Sequence, residues 1–180
     1  MTTRRDIRTG VAVFFGGATY DAAARIYRPT PLAASGLAGV RPYWTTRFED
    51  RDYLATLTDG RGMGAVMSVH IAEDGERRIA LGGPTSGFKS RPLALELWVW
   101  HYARTATVED AQADLDDLLD AIVARIHGDR TLGGAVMEAG ESPRGITTST
   151  GAVPQVEPGT PPTVRQEAVI QFDATVYPQA

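Results

Sequence analysis

The chain has 180 residues, 43% of them apolar and 22% charged, with a net charge of −4. That is ordinary globular composition for about one domain. The absence of cysteine excludes a disulfide scaffold, thiolate metal sites and cysteine nucleophiles, and an acidic chain is a poor reader of duplex DNA.

Taken in order, residues 3–15 predict a short helix. Thr3 or Thr2 serves as its cap, and Ile7, Val11, Phe14 and Phe15 fall at helical spacing before Gly16-Gly17. The start Met1-Thr2-Thr3-Arg4-Arg5 is basic, but only the short apolar run Val11 to Phe15 follows, which does not suit a secretory signal. No run approaches the roughly 18 apolar residues of a membrane helix. A soluble protein of a reducing cytoplasm, or one assembled there, is the expectation. Residues 21–28 fit either a helix or a strand. Pro29, Pro31, Gly36, Gly39 and Pro42 mark a turn-rich connection over 29–46, and residues 49–57 suit one or two helical turns.

The middle predicts strands. Ala65, Met67, Val69 and Ile71 share one face, with Ser68 and His70 on the other. Asp74-Gly75 then reads as a hairpin turn, with Arg77 to Leu81 returning. Gly82 to Gly87 breaks that strand. Over 93–102, Leu93, Leu95, Leu97 and Val99 alternate with Glu96, Trp98, Trp100 and Tyr102. Residues 108–127 predict a helix with Thr107 as N-cap, Asp110 at the capping-box position and Gly128 at the end. Its apolar stripe is Val108, Ala111, Leu115, Leu118, Leu119, Ile122 and Ile126. Residues 129–163 hold 6 Gly, 5 Pro and 8 Ser or Thr, so they predict an extended loop or arm. A strand follows, with Ala168, Ile170, Phe172, Ala174 and Val176 on one face. The expected fold is a single α+β domain over 1–180. It has a mainly antiparallel or mixed sheet, flanking helices and long Gly/Pro-rich loops.

Candidate chemistry is sparse. Gly82 to Ser90 suggests a phosphate loop, but Phe88 stands where the lysine belongs, and a strand pattern follows in place of a helix. A glycine-rich loop is the better description. His70, His101 and His127 lack metal-ligand spacing, and no G-x-S-x-G elbow is present. Glu109, Asp110, Asp114, Asp116, Asp117 and Asp120 crowd one helix, which reads first as a solvated acidic face. Asp116, Asp117 and Asp120 as Mg²⁺ ligands is the rival reading. Trp98, Trp100 and Tyr102 suit either a second packed layer or a subunit contact. No catalytic residue, metal or cofactor is assigned. Charge is also uneven: residues 1–51 carry a net +4 and residues 52–180 a net −8. That split suits head-to-tail contact between copies through Arg4, Arg5 and Arg8, although a solvated surface explains it equally well.

Several stretches carry a resemblance. They are Gly36-Leu37-Ala38-Gly39-Val40-Arg41-Pro42-Tyr43-Trp44, Arg61-Gly62-Met63-Gly64-Ala65-Val66-Met67 and Arg78-Ile79-Ala80-Leu81-Gly82-Gly83. To these add Ile122-Val123-Ala124-Arg125-Ile126 with Asp129-Arg130-Thr131-Leu132-Gly133-Gly134 after it, and the C-terminal strand. Over about residues 36–177 the chain resembles the tail-terminator (minor tail) proteins of long-tailed double-stranded-DNA phages of actinobacteria. No single motif is diagnostic; the order of helix, Thr-Leu-Gly-Gly, loop and final strand carries the likeness.

The resemblance implies an α/β sandwich and structural work rather than catalysis. Such proteins form a ring, typically a hexamer, that caps the head-proximal end of the tail tube. The ring ends tube growth and meets the head–tail connector or stopper. The partners implied are further copies of the chain, the tail tube protein and the connector, with no membrane. The location is the virion tail, assembled in the host cytoplasm, and the genome passes through the lumen without specific binding. Thr131, Leu132, Gly133 and Gly134 join the arginines and aromatics as candidate interface. Asp110, Asp114, Asp117 and Asp120 are candidate lumen-facing acids, with an outward-facing helix as the alternative. Another neck-joining protein is the nearest rival function, and a metal-dependent hydrolase is a more distant one.

Overall fold

A computed structural model describes residues 3–16, 20–21, 26–27, 31–43, 63–79, 89–104, 107–151, 154–159 and 162–177. The expected helical turns at 49–57 and the glycine-rich loop at 82–88 lie outside the described residues.

Helix α1 spans Arg4–Phe14 and starts on Thr3. The Asp6 N–H donates to Thr3 Oγ1 at 3.1 Å, and the Thr3 N–H donates to Asp6 Oδ2 at 2.8 Å. This reciprocal box satisfies two N–H groups that the first turn leaves without helical partners. Strands β1 (Tyr20–Asp21) and β2 (Ile26–Tyr27) pair with each other, so the described residues within 21–28 are strand, and the remainder of that stretch lies outside the described residues. Strand β3 (Leu37–Arg41) runs parallel to β4 (Met63–Asp74).

The sheet is organised around β6 (Lys89–Arg104). It pairs antiparallel with β4 on one side and with β10 (Thr163–Val176) on the other, in the order β3-β4-β6-β10. Helix α2 spans Val108–Gly128. Both helices pack on the same face. Ile7 and Val11 of α1, with Phe15 at its C-cap, join Leu115, Leu118, Leu119, Ile122 and Ile126 of α2 over Met67, Val69, Leu95, Leu97, Val99, Ile170 and Phe172. Each fully buried residue of this kind contributes roughly 1.5–3 kcal/mol. The described residues therefore form an α+β fold, a mixed eight-stranded sheet flanked by helices.

Two local expectations change. Asp74-Gly75 is not a hairpin turn. β4 ends opposite Leu93, the Gly75 N–H donates to the Pro92 carbonyl at 3.0 Å, and β5 (Arg77–Arg78) continues along the same edge of β6. The sixteen-residue β6 offers ladder partners past Gly75, so the chain stays extended where a turn was permitted.

The arm expected over 129–163 is largely an interrupted edge strand. β7 (Glu138–Ala139), β8 (Ile146–Thr150) and β9 (Gln155–Glu157) all pair antiparallel with β10, on the edge away from β6. The glycines and prolines stand at its breaks. Gly140 has φ +71° and Gly145 φ +62°, and a Cβ on Gly140 would lie 2.9 Å from Ile146 Cγ1. The composition of a loop is here the composition of the breaks between short edge strands.

Candidate functional site

The predicted interface residues do not form one cluster. Arg4 pairs with the Asp74 carboxylate, which Arg91 of β6 also grips through Nε (2.6 Å) and Nη2 (2.6 Å). The Arg91 bonds, reinforced by Arg4, hold Asp74 well below the usual carboxylate range, at about 2. Arg8 is half-buried and lies 5.5 Å from the centre of the Tyr43 ring. Arg5 is exposed.

Trp98 and Trp100 lie on the sheet face away from the helices, half-buried and stacked at 6.5 Å. Trp98 Nε1 donates to Glu96 Oε2, and Gln171 Nε2 donates to Glu96 Oε1, both at 2.9 Å. Tyr102 is buried, and its oxygen accepts from Arg165 Nη2 at 2.9 Å. On the same face, His70 Nε2 and Ser68 Oγ are 2.9 Å apart. Burial, together with the charge of Arg8, pushes His70 down to about 4 against the opposing pull of Glu96. These groups are mutually engaged, which is a polar and aromatic second layer on the sheet.

The Thr131–Gly134 stretch divides. Thr131, Gly133 and Gly134 are exposed, but Leu132 is fully buried and belongs to the protein's own core. That corrects its placement among interface residues. Leu132 has φ +50°, an unusual backbone for leucine, and Asp129 holds the turn. Asp129 Oδ1 accepts from the Thr131 hydroxyl (2.6 Å) and N–H (2.9 Å), and Oδ2 accepts from the Gly133 N–H (3.0 Å). These bonds, the Thr131 hydroxyl first, lower the Asp129 pKa.

On α2, Asp110, Asp117 and Asp120 are exposed, as the acidic-face reading expects. Asp114 is half-buried, and its charge acts on His101, a buried β6 residue on the helix side. Burial lowers the His101 pKa, and Asp114 and Gln166 oppose that shift. Asp114 is thus partly turned toward the protein, unlike the other three.

Sequence reasoning missed Asp74, Arg91, Arg125 and Asp129. Asp129-x-Thr131 ahead of two glycines was a usable turn signal. The Asp74–Arg91 pair carried none, because its partners come from different elements. Among the described residues, no three His, Asp or Glu side chains gather as a metal site, and no helix is long and apolar enough to cross a membrane. The chain matches no protein-family model and no curated protein.

Proposed function

We propose that this protein is a structural protein of a phage virion, a tail terminator whose copies close a ring on the head-proximal end of the tail tube. The observation that supports this reading is the architecture. A mixed sheet flanked by helices is what the resemblance implies. The ring ends tube growth and presents a surface to the head–tail connector. Its work is done by interfaces, so no reaction step is assigned.

The exposed acids Asp110, Asp117 and Asp120 on α2 suit a lumen wall. Basic side chains add DNA affinity by releasing counterions, whereas a negative wall keeps the duplex mobile. Purified protein imaged by electron microscopy, with its mass followed by sedimentation, tests the assignment. Closed rings of uniform size are expected. A monomer at every concentration, with no ring on tail tubes, overturns it.

A further inference from the structure

We infer that β8, the exposed edge of the sheet, pairs antiparallel with β8 of a second copy of this chain about a two-fold axis at Thr148. This contact differs from the head-to-tail junction that closes a ring, and the inference does not depend on the ring reading.

β8 is bonded along one side. It pairs with β10, and among the described residues no strand pairs with its outer side. Unpaired edges are ordinarily blunted by charge, proline, a bulge or a covering element. β8 reads Ile-Thr-Thr-Ser-Thr, with no charged residue and no proline, and its ladder with β10 runs without a register break. Thr147, Thr148, Ser149 and Thr150 are exposed. Isoleucine and threonine are β-branched, the type that favours strand. The opposite edge of the sheet is different. In β3, Leu37, Ala38 and Val40 are buried, and Leu37 and Arg41 are engaged elsewhere in the chain.

The direction of each backbone group follows from the ladder. The Gly151 N–H donates to the Glu167 carbonyl at 2.7 Å, so Gly151 faces β10. Backbone groups of successive residues point to opposite sides of a strand. Ser149 and Thr147 therefore also face β10, opposite Val169 and Gln171. Ile146, Thr148 and Thr150 turn their N–H and C=O groups outward. That pattern is symmetric about Thr148. A second β8, turned about a two-fold axis there, sets Thr148 against Thr148 and Ile146 against Thr150, and each outward N–H meets an outward C=O.

Charge favours the same occupant. Exposed Arg144 precedes β8, and exposed Glu167 lies beside Gly151 at its other end. Glu141, on the Arg144 side, is held by Arg130. The two-fold axis brings Arg144 of each copy toward the Glu167 end of the other. A second copy thus brings both charges in the required order, and no charge on the strand itself.

Sedimentation velocity tests this with Thr148→Lys and Thr148→Glu. The side chain is exposed, so thermal unfolding within a few degrees of the parent protein checks that the fold is kept. Each variant sets like charges against each other across the axis and is expected to need about tenfold or more protein to pair. An equal mixture of the two is expected to pair at least as well as the parent protein, because opposite charges then meet. Thr148→Cys gives a second readout, since the chain has no cysteine. Facing Cα atoms of a hydrogen-bonded antiparallel pair lie about 5.5 Å apart, within disulfide range. Mild oxidation is expected to yield a covalent dimer from Thr148→Cys and far less from Thr9→Cys, an exposed site on α1. A parent protein without a pair contact, charge variants that pair like the parent, a mixture that is not restored, or equal cross-linking at both cysteines overturns the inference. Rings that survive the Thr148 substitutions keep the ring reading whatever the pair contact does. Dimers that never build rings overturn the ring reading and leave this contact standing.

Discussion

Arg91 grips Asp74 with two parallel bonds, Nε to Oδ1 and Nη2 to Oδ2, both 2.6 Å. The fork joins the end of β4 to the start of β6, and Arg4 ties α1 to the same carboxylate. Bidentate pairing of this kind is stronger than a point contact. Asp74→Ala is expected to cost about 1–3 kcal/mol in urea unfolding. Arg4→Ala is expected to cost under about 1 kcal/mol, since Arg4 is 64% exposed. Equal losses from the two substitutions would contradict this ranking.

Arg125 of α2 holds the C-terminal end of α1. Its Nη2 and Nε donate to the Phe14 carbonyl at 2.7 and 3.1 Å, and its guanidinium lies 4.5 Å from the Phe14 ring centre. The last turn of α1 has no basic residue of its own, so this cation answers the helix dipole from outside. Arg125→Ala is expected to cost about 1–3 kcal/mol. Arg125→Lys is expected to restore less than half, because lysine lacks the planar fork. Denaturant titration of both variants is the measurement.

Leu132 separates core from interface within the Thr131–Gly134 turn. Leu132→Ala is expected to cost about 2–5 kcal/mol, as for other fully buried leucines. A loss of assembly at unchanged stability would instead place Leu132 on a contact surface. Thr131 is exposed, but its hydroxyl joins Asp129 to the turn, so Thr131→Ala is expected to fall near 1 kcal/mol.

Acid destabilises this protein by two routes. His70 takes a proton near pH 6.5 when unfolded but only at about 4 when folded. Between those values the unfolded chain binds more protons, so stability falls as pH falls. Buried His101 acts in the same direction. Asp74 works lower: its stabilisation is complete above about 3.8 and is lost as pH drops through about 2. Unfolding free energy measured from pH 7 to 4 is expected to slope less steeply in His70→Gln than in the parent protein. Identical slopes would exclude His70 as a contributor.

Asp117 and Asp120 are exposed, so their replacement by lysine is expected to change stability by no more than about 0.5 kcal/mol each, whereas Asp110 accepts from the Thr107 hydroxyl in the first turn of α2 and its replacement is expected to cost about 1 kcal/mol. If α2 lines the lumen, particles carrying all three changes assemble normally and eject their genome slowly. Ejection at the normal rate, or an image with α2 on the outer rim, rejects the wall.

The sequence by itself determined what repeats locally. The alternation in β4, β6 and β10, the stripe of α2 and the caps Thr3 and Thr107 were legible because a period of two or 3.6 residues is written in neighbouring positions. The exposure of Asp110, Asp117 and Asp120 followed from the same periodicity. Tertiary structure alone decided the rest. Asp74-Gly75 permits a turn, but the length of β6 holds it extended. The glycines and prolines of 138–157 permit a loop, but the free edge of β10 draws that segment into the sheet as β7, β8 and β9. Leu132 reaches the core because Asp129 bends the chain, and Gln166 is buried because β10 is registered with it opposite His101. In each case the deciding hydrogen-bond partner or packing surface comes from an element distant along the chain, and local composition carries no record of it.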